Sequence, residues 1–372
     1  MPGPLDSLRV VEFAGLGPAP LAGQLLADLG AVVTVIDKAS APAQAFDVNR
    51  RGKRSVALNL KSEAGVRVAR DIITQSDILI EGFRPGVMER LGLGPDDCPP
   101  TLVYGRMTGW GQTGPLAQVA GHDITYLATS GVLSLLGDGD GLPRPPLNLL
   151  ADYGGGTMFL VFGVLSAVIS RSVTGQGQVV DAAMIDGVPA MMGLIHGLMA
   201  QGTFCAPLGG NWLDGGAPFY RCYTCADGRH VAVGALEPQF YALLLDGLGL
   251  SAADLPDQND RAAWPVLSAR FAGVFASAAR DHWAKVFGGT DACVAPVLSM
   301  DEAENDPHIG PRAVYERVDG VRQAHPAPRF SGTPAGAVAA PTGAGADTAV
   351  VLHELGYGDA AIASLRSSGA LT

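Results

Sequence analysis

Lysine is almost missing from this chain. There are four in 372 residues: Lys38, Lys53, Lys61 and Lys285. Charged residues of all kinds make up only 16%, and acidic ones outnumber basic ones by 36 to 25, giving a formal net charge of −11. A chain with that balance does not attract nucleic acid or anionic membranes through its overall field. An anionic ligand has to find a local basic patch. Cysteine is also sparse and scattered. Cys98, Cys205, Cys222, Cys225 and Cys293 form no disulfide framework and predict a reducing compartment. Cys222 and Cys225 make a CxxC, yet no second pair or paired histidine completes a zinc site, and the surrounding YRCYTC reads as a core strand. The absence of a P-loop argues against phosphoryl transfer. The opening MPGPLDSLRVVEF has no basic run leading into an apolar one, and the longest apolar stretch, Met158 to Ile169, is too short to span a bilayer. The expectation is a cytoplasmic protein with neither nucleic acid nor membrane as partner.

Hydrophobic residues are plentiful at 48%, enough for a substantial core, and the length predicts two domains. Apolar runs at Leu8–Phe13, Ala31–Ile36, Asp77–Ile80 and Leu102–Met107 alternate with helical patterns at Pro18–Leu29 and Val66–Ile73. That rhythm predicts an α/β fold with a large, Rossmann-like parallel-sheet domain. Helical patterns follow at Asp123–Leu135, Asp152–Ser170 and Met184–Ala200; many lack a polar face, which predicts burial. Composition shifts to Gly, Pro and Asn after Ala200. The predicted layout is a large domain over 1–200, a linker over 201–218, a smaller α+β domain over 219–309, and a C-terminal segment, 310–372, that completes the first domain. The small domain has strand patterns at Phe219–Cys225 and Arg229–Val233 and helical ones at Pro238–Leu245 and Ala262–Phe275, and the tail has a helical pattern at Thr348–Leu365. Pro326 to Asp347 reads as a surface coil.

Gly121-His122-Asp123-Ile124 lies thirty residues before Asp152-Tyr153-Gly154-Gly155-Gly156. One imidazole and one carboxylate, each beside glycine-rich backbone, suit proton abstraction and return; a base on each face of a substrate carbon inverts its configuration. The opening also imitates a dinucleotide site, with Gly15 and Gly17 after a strand and Asp37 ending the next. The third glycine of that fingerprint falls on Pro20, and Pro18 and Pro20 lack the N–H groups a pyrophosphate needs. A stronger anion signal is the cluster Arg50, Arg51, Lys53 and Arg54, with Lys61, Arg84, Arg90 and Arg106 in the same half. Such clusters bind phosphates, so a phosphorylated ligand is expected.

These motifs converge. The chain resembles the family III CoA-transferase (CaiB/BaiF) superfamily, and within it the branch that racemises 2-methylacyl-CoA thioesters. The resemblance is carried by LRVVEFAGLGPAP at 8–20, RGKRSVALNLKS at 51–62, ILIEGFRPGVMERLGLGP at 78–95, RMTGWGQTGP at 106–115, GHDITY at 121–126 and PPLNLLADYGGG at 145–156. It continues through GQVVDAAMIDG at 177–187, LDGGAPFY at 213–220, VAVGALEPQFY at 231–241 and ELGYGDAAIASLRSSGAL at 354–371. It implies an interlocked homodimer and an acyl-CoA substrate, with CoA entering as part of that substrate and no separate cofactor or metal. It implies that His122 and Asp152 are the two acid/bases, that Glu237 orients His122, and that the Asp123 backbone N–H supports the thioester oxygen as it becomes an enolate. It places CoA contacts on Lys38, on Leu58, Asn59, Leu60 and Lys61, on Gly82, Phe83 and Arg84, on Arg90, and on Gly121, His122, Asp123, Ile124, Thr125 and Tyr126. Lys38 stands where relatives often carry Arg, keeping the charge without the bidentate geometry. A CoA-transferase on the same fold remains the alternative, with Asp152 as nucleophile. Position 122 separates the two, because transferases of this fold usually carry Tyr there.

Overall fold

Strands of a parallel sheet are covered on both faces, so their sequences are apolar almost without interruption. In β1 (Arg9–Phe13) all but Arg9 are buried, and in β4 (Ile78–Glu81) every residue is. The computed structural model describes residues 3–137, 142–204 and 208–372; Cys205 lies outside them. The remaining strands of the main sheet are β2 (Val32–Asp37), β3 (Arg54–Ala57), β5 (Val103–Thr108) and β6 (Val179–Ala183). They stand in the order β3-β2-β1-β4-β5-β6, and every pairing is parallel. This doubly wound order reverses between β1 and β4, and ligands of such sheets bind outside the strand C-termini at that reversal.

Six helices accompany these strands: α1 (Pro18–Asp28), α2 (Glu63–Thr74), α3 (Val87–Arg90), α4 (Asp123–Thr129), α5 (Met158–Thr174) and α6 (Met184–Ala190). α1 begins on proline, whose missing N–H costs nothing in a first turn. Ser62 caps α2 by accepting from Gly65 N at 3.0 Å. The unit comprising residues 3–130, 147–191 and 308–372 packs around one core. There Val11, Phe13, Ile72 and Leu79 meet Val351, Leu352 and Ile362 from the C-terminal helices Thr348–Glu354 and Asp359–Ser367.

A second unit holds the described residues of 131–146 and 192–307. Its antiparallel sheet, β7 (Tyr220–Thr224), β8 (His230–Gly234) and β9 (Val294–Pro296), packs one face on an aromatic cluster that includes Phe219, Tyr223, Trp264, Phe271, Phe275 and Trp283. The helices α7 (Gly193–Ala200), α8 (Pro238–Gly247), α9 (Trp264–Phe275) and α10 (Arg280–Phe287) belong to this unit.

Several sequence expectations change. The pattern at 123–135 breaks after Thr129, because Gly131 turns left-handed at φ 83° and a short 3-10 turn, Val132–Leu135, follows. The pattern at 184–200 splits after Ala190, where Pro189 has no N–H to continue the ladder. The pattern at 152–170 begins earlier, as a π-helix over Leu149–Thr157 that runs into α5. The continuous helix Leu149–Thr174 is thus long and apolar enough by length and composition to cross a membrane, unlike the Met158–Ile169 stretch read alone. Its Leu160 and Val164 instead pack on Gly105 of β5. Nor are the apolar helices buried all round: Phe162, Ile169 and Val173 of α5 and Leu194 of α7 stay exposed. Cys222 is exposed, whereas Cys225 is buried.

The basic cluster is the largest correction. It does not wait for a phosphate. Arg50 pairs with Asp37 at 2.7 Å, Arg51 with Asp28 at 2.6 Å, Lys53 with Glu12 at 2.6 Å and Arg54 with Glu354 at 2.7 Å. Arg51 and Lys53 are buried, and a cation leaves water only if it is compensated, so each was placed opposite a carboxylate. Lys53 also donates to Pro20 O at 2.8 Å, tying β3 to the first turn of α1. Lys53→Met should strand the buried Glu12 and cost about 3–5 kcal/mol of stability, whereas Glu12→Leu/Lys53→Met should recover most of it. Chemical denaturation of both variants checks this.

Candidate active site

The loops leaving β1, β4 and β5 and the first residue of α6 enclose a cleft of about 690 Å³ at the C-terminal edge of the sheet. His122 and Asp152 both line it. His122 is the residue before α4 and is exposed; its backbone N–H donates to Thr125 Oγ1 at 2.9 Å, and that hydroxyl donates back to His122 O at 2.7 Å. Asp152 sits in the first turn of the π-helix, half-buried. The wider π turn is a common way to bring a functional side chain off a helix axis.

Glycines make room for this arrangement. Gly17 has φ 74°, a value an L side chain rarely adopts, and a Cβ there would stand 3.7 Å from Asp152 Oδ2. Gly155 and Gly187 press the π-helix against α6 so closely that a Cβ on Gly187 would lie 1.9 Å from Gly155 O. The Tyr126 ring occupies the space that side chains on Gly109 and Gly121 would take, and meets Trp110 edge-on at 4.8 Å.

The electrostatics favour proton transfer. Burial and, secondarily, the neighbouring Asp123 carboxylate hold Asp152 above the ordinary carboxylate range; a hydrogen bond from Asn148 and the nearby His122 pull it part of the way back. A carboxylate with raised proton affinity is a better base. Next to the loop 82–86, Glu81 accepts from Phe83 N at 2.7 Å and from Arg106 Nε at 2.9 Å, while Arg106 reaches Glu89 at 2.7 Å. These contacts fix the loop 82–86 that carries Phe83 and Arg84.

The residues singled out from sequence fall into groups. Gly82, Phe83, Arg84, Gly121, His122, Tyr126 and Asp152 line the cleft. Asp123 is buried, and Ile124 and Thr125 are exposed on α4. Leu60, Lys61 and Arg90 line a separate recess of about 560 Å³, which also contains Arg67 and Arg70, two cations the sequence reading did not single out. Lys38 is exposed at the end of β2. Leu58 lies in the core with its N–H on Asp37 O, and the Asn59 amide is engaged by Gly369 O at 3.1 Å. Glu237 belongs to the second unit, exposed, just before α8. Sequence reasoning also missed the Asp123 carboxylate and Asn148. An acid at the first position of a short helix was the available signal for the former; nothing in the sequence singles out Asn148.

Comparison with known proteins adds to this geometry. The profile of CoA-transferase family III matches residues 5–348. The protein named alpha-methylacyl-CoA racemase in Mus musculus is 46% identical over 370 residues, covering 98% of this chain and 96% of its own. Its namesake in Homo sapiens is 44% identical over 339 residues, covering 89% and 87%. Among solved structures, a CaiB/BaiF family protein from Brucella suis superimposes with a TM-score of 0.81 at 24% identity, covering 95% of this chain and 100% of the other, a likeness of fold. Removing the Asn148 hydrogen bond leaves burial and Asp123 less opposed. Asn148→Ala should therefore move the Asp152 carboxyl titration to higher pH, read by carbon-13 NMR of labelled aspartate.

Proposed function

The chain belongs to CoA-transferase family III, and from that premise we propose that it is a racemase interconverting 2R- and 2S-methylacyl-CoA thioesters by two-base proton transfer. One observation carries the reading. An imidazole at 122 and a carboxylate at 152 line a single cleft at the sheet's reversal point. An α-proton beside a thioester is weakly acidic, and its removal needs a matched base and a donor ready for the developing oxyanion. His122 takes the proton of the 2S epimer and Asp152 that of the 2R epimer. The Asp123 N–H supports the enolate oxygen, and the opposite base returns a proton to the other face.

The recess beside α3 suits the phosphates of CoA. Lys61, Arg67, Arg70 and Arg90 all face it, and Lys61, Arg67 and Arg90 have no ion-pair partner among the described residues. The protein acts as a homodimer of interlocked chains, in which Glu237 of the partner subunit orients His122. The exposed apolar faces of α5 and α7 support that reading, since soluble surfaces rarely leave such residues together uncovered. The imidazole favours racemisation over acyl transfer, because a transferase needs only the carboxylate as nucleophile.

Lys61→Ala and Arg90→Ala should each raise KM for acyl-CoA about tenfold, the worth of roughly one charge-assisted contact, with the fold intact. An unchanged KM in both would remove the recess from the site. His122→Ala should abolish deuterium exchange from 2S substrate and Asp152→Ala from 2R substrate, each retaining residual exchange on its intact side. Full racemisation by His122→Ala, or a hydroxylamine-trapped acyl group on Asp152, would contradict the scheme.

A further inference from the structure

We infer that the side chain of Asp123 is a positioning residue that sets the spacing of the two bases by gripping the first amides of the π-helix. The inference rests on the two-base reading above. A π-helix pairs each N–H with the carbonyl five residues back, so its first amides have no partner within it. Two of them, on Ala151 and Asp152, are taken by a single oxygen, Asp123 Oδ2, at 2.8 Å each. Asp123 follows His122 directly in the chain. The path from one base to the other is thus one peptide unit, one short side chain and one hydrogen bond. Each end is pinned separately: Thr125 brackets the His122 backbone, and Thr157 Oγ1 ties Pro18 O at 2.8 Å to the Asp152 carbonyl at 3.4 Å.

A neutral acceptor such as Asn or Ser caps a helix as well as Asp does. Here Asp123 as a whole is 6% exposed, and its second carboxylate oxygen, Oδ1, is buried with no hydrogen-bond partner among the described residues. Burying a charge that incompletely satisfied is costly, so the charge itself has a use. It raises the proton affinity of Asp152 in addition to fixing its place. The charged and titratable groups around Asp152 are few. Asp123 and Tyr126 come from α4, and His122 from the residue just before it. The π-helix itself adds the Tyr153 phenol, Asn148 just before it offers only a neutral amide, and the loop 14–17 brings no charge. α1 carries Asp28, paired with Arg51; α5 carries Arg171, paired with Asp77; α6 carries only the exposed Asp186.

Asp123→Asn keeps an oxygen acceptor and removes the charge. It should fold, keep KM for acyl-CoA within about twofold, lower kcat from the 2R epimer ten- to a hundredfold, and move the Asp152 carboxyl titration to lower pH. Asp123→Ala removes the grip altogether and should lower kcat from both epimers further. If the Asn amide is not tolerated beside Oδ1, Asp123→Ser offers a smaller neutral acceptor with the same expected pH shift. Wild-type exchange from both epimers together with an unmoved Asp152 titration in Asp123→Asn would overturn the inference. The titration is read without turnover, so a wild-type protein that exchanges no α-proton would count against the racemase reading while the grip was still tested.

Discussion

Two groups that act on opposite faces of one carbon must keep a fixed separation, and a shift of about 1 Å in such a pair is enough to cost two orders of magnitude in rate. In the proposed two-base scheme these groups, His122 and Asp152, come from segments thirty residues apart in sequence. The contact that joins them is the Asp123 carboxylate on the amides of Ala151 and Asp152. The rest of the cleft is arranged so that this contact can form. Gly155 and Gly187 let the π-helix lie flush on α6, and Gly109 and Gly121 leave space for the Tyr126 ring that backs α4.

Beneath the cleft, charge is used for structure rather than for ligands. The chain has few lysines, and one of them, Lys53, is buried against Glu12 and the Pro20 carbonyl under the first loop of the cleft. Arg106 does the same under the second loop, bridging Glu81 and Glu89. Such pairs contribute little net stability against well-packed apolar residues, but they penalise any arrangement that separates them. That fits a site whose loops must hold their place while the substrate changes. Three cations without an acidic partner among the described residues, Lys61, Arg67 and Arg90, gather around one recess.

The strand–helix rhythm of the first half was legible because a buried parallel sheet writes itself as short apolar runs, and β1, β2, β4 and β5 lie within a residue or two of their expected places. β3 was missed because Arg54 and Ser55 made it read as part of a charged loop, and β6 because much of it is exposed. The position of His122 and Asp152 in one cleft was legible only through the motifs around them; periodicity says nothing of where two loops meet. The fate of Arg50, Arg51, Lys53 and Arg54 could not be read at all, since their partners, from Glu12 to Glu354, are set by tertiary packing. The same holds for the Asp123 carboxylate, whose donors are amides that become available only once residues 149–157 wind as a π-helix.

On the racemase reading, one cleft removes and returns a proton at the carbon beside a CoA thioester. The most direct test of that reading is to give the wild-type protein a single epimer of a 2-methylacyl-CoA ester in deuterium oxide, with a second, isotopically labelled free acid present. The account predicts that deuterium enters at C2 as the opposite epimer forms, that either starting epimer reaches the same near-equal mixture, and that no label passes from the free acid into the thioester. Transfer of that label without deuterium at C2 would contradict it.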